Sequence, residues 1–179
     1  MTNIPTSLVV ASFLGITTIA GSAAAPAPRD TISPPGTRTV APALALKDAR
    51  GATVRLADYK GRIVLLDFWA TWCTGCKLEM PWFMDFEKQY TGSGLSAIGV
   101  AVDEEGWRTV KPYLAAHPVT YPVVLGTFDT VEKVFKLPPS LPQTLLLDRN
   151  GRIAATHSGV VDKDKFEKDI KQLLDERGQ

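Results

Sequence analysis

Two sulfurs in Cys73-Thr74-Gly75-Cys76 hold the chemistry of this chain, and they are its only cysteines. A structural zinc site needs four ligands, and this pair supplies two. The only histidines, His117 and His157, lie far from the pair and from each other. A purely structural crosslink between cysteines so close together closes a tiny loop and would restrict the unfolded chain little. Reversible dithiol chemistry fits better. The thiolate of Cys73 attacks a substrate disulfide, and Cys76 then resolves the mixed disulfide and leaves a Cys73–Cys76 bridge. Thr74 and Gly75 set the balance between the two states, since about 30 mV of potential corresponds to about 1.4 kcal/mol for such a couple.

The elements around the pair explain why those sulfurs would be reactive. Ile63-Val64-Leu65-Leu66-Asp67-Phe68 is an apolar run of strand length, rich in residues that suit a sheet buried on both faces. A helix is expected from about Cys73 to Tyr90, kinked at Pro81, which cannot donate to the ladder, and ended by Gly92-Ser93-Gly94. Cys73 then stands at a helix N-terminus, where unpaired N–H groups and the dipole favour a thiolate. Asp67 lies near the end of the apolar strand, where desolvation should raise its pKa and let it exchange a proton with Cys76. Glu79, three residues beyond Cys76, shares nearly the same helix face and is a second candidate. The plain alternatives are a structural hydrogen bond for Asp67 and an ordinary solvated position for Glu79. Trp72 is read as an apolar lip for docking, and Trp69 as packed beneath. Leu141-Pro142-Gln143-Thr144 directly precedes another apolar strand, and cis peptide bonds are essentially confined to X-Pro. His117 and His157 show no partner pattern and read as surface or core residues.

At 179 residues, with 45% hydrophobic and 22% charged side chains and a net charge of +1, the chain has the make-up of one globular domain. It carries no basic tract interleaved with aromatics, so no nucleic-acid partner is expected. Residues 1–25 are expected to be a signal peptide or an N-terminal membrane anchor, with an apolar stretch at Leu8–Ile16 and small residues at Gly21–Ala25. Residues 26–41, rich in Pro, Thr and Ser, read as a linker, and 42–179 as the folded domain. Alternation around Leu44–Leu46 and Val54–Leu56 predicts a hairpin turning at Gly51. Next come the strand, the helix, a strand at 95–103, a helix at 107–116, a short strand within 119–125 and a short helix at 130–136. A hairpin at 145–156 and an amphipathic helix at 162–177 complete the chain. That order is an α/β pattern, a central mixed sheet flanked by helices with an added N-terminal hairpin.

The segment Asp67-Phe68-Trp69-Ala70-Thr71-Trp72-Cys73-Thr74-Gly75-Cys76, followed by Glu79-Met80-Pro81, resembles the active-site region of the thioredoxin superfamily, and more closely its exported TlpA/ResA-like (DsbE-like) branch. The resemblance runs from about Ala41 to about Leu174. It implies the thioredoxin fold and a protein-disulfide oxidoreductase that needs no cofactor or metal. It implies a buried acid at Asp67, although this branch often has Asn there, and an acid at Glu79 that tunes the cysteines. It further implies a cis Pro142 facing the disulfide, a Leu141 backbone that pairs with extended substrate, and Gln143 where the family commonly has Thr. The expected partners are protein thiols and disulfides, such as apocytochrome c or copper-site proteins, and a membrane electron donor of the DsbD/CcdA type. The expected location is periplasmic or otherwise extracytoplasmic. Two rival activities fit less well. A peroxiredoxin-like peroxidase would carry Pro and Thr or Ser at set offsets before its reactive cysteine, and the run before Cys73 does not. A copper-binding chaperone would want CxxxC with a distant His or a Met cluster.

Overall fold

The computed structural model describes Met1 and residues 31–176. The expected signal peptide or anchor at 1–25, with the first part of the linker, lies outside the described residues. Eight strands and three α-helices follow in chain order: β1 (Thr39–Val40), β2 (Ala45–Lys47), β3 (Thr53–Arg55), β4 (Ile63–Trp69), α1 (Thr74–Tyr90), β5 (Leu95–Ala101), α2 (Trp107–Ala116), β6 (Val123–Leu125), β7 (Gln143–Leu147), β8 (Arg152–Ser158) and α3 (Lys163–Asp175). Six strands form one mixed sheet in the order β1-β8-β7-β4-β5-β6. β4 pairs parallel with β5 and antiparallel with β7, and every residue of β4 and β5 is buried. A strand covered on both faces must be apolar throughout, which accounts for the run Ile63–Phe68.

The ring contacts assign the two faces. Trp69 lies 5.5 Å from Tyr113 of α2, and Phe83 of α1 lies 5.5 Å from Phe166 of α3. All three helices therefore cover the face that carries Asp67 and Trp69. On the other face Phe68 meets Phe135 at 5.0 Å, just past a single wide helical turn at Thr130–Val134. The hairpin β2–β3 forms with Leu46 opposite Val54, and an Asp48–Val124 bridge ties it to the sheet edge. Pro81 stands on the exposed side of α1, which runs through it. Among the described residues no helix is long and apolar enough to cross a membrane.

The stretch expected as linker differs from that expectation. Ser33 N–H donates to the Ala154 carbonyl at 2.7 Å, and Thr39–Val40 pair with β8 as β1. Arg38 is buried, with its guanidinium 3.2 Å from Asp148 and 2.6 Å from Glu176. Those acids lie at the β7–β8 turn and just past the end of α3. Their attraction for Arg38 holds residues 33–40 to the domain, a pairing over 110 and 138 residues that local composition does not reveal.

Candidate active site

Cys73 caps α1 from an extended backbone conformation, and its Sγ accepts the Cys76 N–H at 3.2 Å. A sulfur already in this position receives the dipole and amide stabilisation that favours thiolate. Cys73 and Cys76 form a disulfide with Cα atoms 5.3 Å apart. Cys73 keeps 6% of its surface in contact with solvent and Cys76 none, so the first sulfur is the more accessible of the two. Asp103, just beyond β5, accepts the Thr71 N–H at 3.1 Å and the Thr71 hydroxyl at 2.5 Å. This bracing fixes the turn that delivers Cys73, and the sequence reading missed it because the two residues lie 32 apart.

Thr74 is exposed on the first turn of the helix, and Gly75 faces the next segment of the site. A Cβ at Gly75 would stand 3.2 Å from Pro142 Cδ and 2.8 Å from Val160 Cγ2. Pro142 therefore packs directly against the CxxC loop, and the Leu141–Pro142 peptide bond is cis. Leu141 is half-buried beside it. Gln143 is fully buried, donating to Ser140 at 3.0 Å and accepting from Ser158 at 2.8 Å. It thus supports the proline loop from behind, away from any substrate. Trp72 is 60% exposed and stacks on Phe128 at 6.3 Å, whereas Trp69 is fully buried. Phe128 is the second aromatic of this lip, and nothing in its local sequence marks it.

Beneath the helix lie the two acids. Asp67, on β4, is fully buried, and neither carboxylate oxygen has a protein hydrogen bond among the described residues. Burial first, and the nearby Glu79 charge second, hold its pKa well above the usual carboxylate range. Glu79 is also fully buried, so the solvated alternative does not hold for it. Its Oε1 accepts the Val161 N–H at 2.7 Å, while Oε2 is unpartnered among the described residues. Burial raises its pKa to about 7 against the opposing pull of that hydrogen bond. Room beside Asp67 comes from Gly99, its neighbour on β5. A Cβ there would stand 3.1 Å from both Trp69 Nε1 and Tyr121 Cε2. Two buried, protonatable carboxyls thus lie close enough to influence each other, one on β4 and one on α1 three residues past Cys76. Among the described residues no three His, Cys, Asp or Glu side chains are grouped to hold a metal ion.

Residues 37–156 match the AhpC/TSA family. The chain is 32% identical over 135 residues to the thiol-disulfide oxidoreductase ResA of Geobacillus kaustophilus, covering 75% of this chain and 76% of that protein. It is 34% identical over 137 residues to ResA of Geobacillus thermodenitrificans, covering 76% and 75%. The chain belongs to the AhpC/TSA family, in its ResA-like branch. It is therefore a thiol–disulfide oxidoreductase with a thioredoxin-type fold. Solved structures agree. The thiol:disulfide interchange protein DsbE of Chlorobium tepidum superposes with a TM-score of 0.71 at 29% identity, over 76% of this chain and 96% of that one. A DsbF homologue from Corynebacterium diphtheriae shares the fold, with a TM-score of 0.73 at 22% identity over 90% and 100%. In this oxidoreductase the pair expected from sequence, Cys73 and Cys76, meets in a disulfide, and the N-terminal hairpin is present.

Proposed function

We propose that this oxidoreductase works as an extracytoplasmic reductant of protein disulfides. Cys73 is the nucleophile and Cys76 the resolving thiol. Asp67 and Glu79 handle the Cys76 proton. Trp72 and the Leu141–Pro142 backbone, with Thr74 and Gly75 at the helix start, receive an extended client segment. The observation that carries the direction is the pair of buried carboxyls, Asp67 on β4 and Glu79 three residues past Cys76 on α1. A strongly oxidising couple depends on a stabilised thiolate in the reduced state. The same burial that keeps both carboxyls protonated disfavours a thiolate at the fully buried Cys76, so the reduced state gains little and the potential falls.

The clients that fit are proteins whose cysteines must be reduced before they receive haem or copper, apocytochrome c among them. The electrons come from a membrane thiol donor of the DsbD/CcdA type. Residues 1–25 act as the export signal or tether that brings the domain to that donor. Equilibration of the full chain against glutathione and dithiothreitol buffers, with the redox state read by thiol alkylation, tests the direction. A potential near about −250 mV or below is expected, and one near about −120 mV would refute it. Insulin reduction should vanish in Cys73→Ser, and peroxide consumption should be negligible in the unmodified protein.

A further inference from the structure

Resolution of the mixed disulfide releases a proton inside the protein. Cys76 loses its S–H proton, and its thiolate attacks Cys73 Sγ. The Cys73–Cys76 bond forms as the Cys73–substrate bond breaks, and the client sulfur departs as a thiolate. The dithiol is thereby oxidised and the client disulfide reduced. A proton accepted by Asp67 or Glu79 must then leave a layer where both carboxyls are shut off from solvent.

The sheet register offers one way out. Thr144 of β7 is the direct partner of Asp67, and His157 of β8 is the direct partner of Thr144. Directly paired residues project to the same face with Cβ atoms about 5 Å apart, a spacing over which one water can link two side-chain polar groups. Thr144 is fully buried, and its hydroxyl has no protein hydrogen bond among the described residues. A buried hydroxyl between two titratable groups can accept from one side and donate to the other. His157 lies on the face covered by the helices, with its ring 5.1 Å from Phe166 and Nε2 4.0 Å from Asp169 Oδ2.

The second carboxyl lies against a wall of the cavity that His157 also lines. Glu79 accepts from Val161, and Val161 and His157 both line a cavity of about 330 Å³ at the start of α3. Asp162 and Lys165 line it as well, and Lys165 reaches Asp169 at 3.0 Å. Charged and titratable groups beside His157 include Asp169, Lys165 and Asp162 from α3 and its cap. Asp67 lies beyond Thr144 in the sheet, and Glu79 lies across Val161.

We propose that His157 is the proton outlet of the dithiol site, a positioning residue that passes protons between the Asp67–Glu79 pair and solvent through this cavity. Imidazole exchanges protons near neutral pH through two distinct nitrogens, which suits a relay between the buried row and the cavity that His157 lines. The inference rests on the reading of Cys76 as the resolving thiol. Its test separates the two, because initial attack by Cys73 does not use the outlet.

The full-length reduced protein is mixed with a peptide disulfide. Attack and resolution are followed separately, by acid quench with mass analysis and by tryptophan fluorescence. In His157→Ala, attack should be unchanged and resolution slowed about tenfold at pH 7, with millimolar imidazole restoring most of the rate. General acid–base groups commonly contribute a hundredfold or more, so a tenfold loss allows for water entering the enlarged cavity. Thr144→Val should slow resolution several-fold without responding to imidazole. His157→Gln, which nearly fills the space, should show the slowed step and a flattened pH profile from pH 6 to 8, and it decides the matter if His157→Ala does not fold. Resolution within twofold of the unmodified protein in His157→Gln, or a loss in His157→Ala that imidazole leaves unchanged, overturns the outlet. Failure of the unmodified protein to resolve any mixed disulfide would instead overturn the proposed function.

Discussion

Replacing Glu79 with Gln tests the buried acid layer most directly, because the amide keeps the shape and the acceptor for the Val161 N–H while removing ionisation. Burial raises the pKa of Glu79 from 4.5 to about 7 in the folded protein. Between those values the folded state holds a proton that the unfolded chain has released. Folding stability therefore falls as pH rises through this window, is fully present below about pH 4.5, and is lost by about pH 7. At about 1.4 kcal/mol per pH unit the loss is about 3 kcal/mol. Asp67, also raised, should tilt the curve in the same sense. Glu79→Gln has no such loss of its own. It should match the unmodified protein within about 1 kcal/mol at pH 4.5 and exceed it by about 3 kcal/mol at pH 8, an increase of about 6–12 °C in melting temperature for a chain of this size. Urea unfolding of the oxidised form at half-unit steps from pH 4.5 to 8, followed by tryptophan fluorescence, gives both curves. If the two proteins lose stability in parallel across that range, Glu79 ionises as a solvated residue does and the acid layer is misread.

Three further substitutions probe the surroundings of the cysteine pair and the anchoring of residues 33–40. Gly75→Ala places a methyl 3.2 Å from Pro142 Cδ, where Val160 can rotate away but the proline ring cannot, so insulin reduction should fall at least several-fold while stability drops by about 1–3 kcal/mol. Unchanged reduction would mean that the contact between the CxxC loop and Pro142 is dispensable. Phe128→Ala removes the stacking partner of Trp72 and should raise KM for a peptide disulfide several-fold with little effect on kcat, as loss of about 1 kcal/mol of ring contact predicts. A change confined to kcat would exclude a docking role. Arg38→Ala leaves Asp148 buried without its cation and should cost about 3 kcal/mol in urea unfolding, the low end for such a pair because Glu176 keeps 29% of its side chain in contact with solvent. A loss below about 0.5 kcal/mol would show that residues 33–40 lie on the domain without holding it.

The chain's local order was readable because its signals are short-range. An apolar run that stops at a cysteine, a second cysteine one turn on, and alternating apolar positions around Gly51 specify a buried strand, a helix start and a hairpin without any distant partner. The chemistry of Cys73 and Cys76 and the burial of Asp67 follow from the same stretch, since a carboxylate inside a strand covered on both faces has no solvent to meet. Three things depended on tertiary structure. Arg38 turns an apparent linker into part of the domain through acids more than a hundred residues away. Val161 meets Glu79 across 82 residues, a contact that makes a helix glutamate part of the core. Strand register lines up Asp67, Thr144 and His157, so a histidine with no pattern in the sequence stands in the same row as the buried acid. Sequence spacing reports only neighbours along one element, whereas a proton or an ion pair follows distance in space. The sheet brings residues from the middle and the end of the chain within about 5 Å of each other.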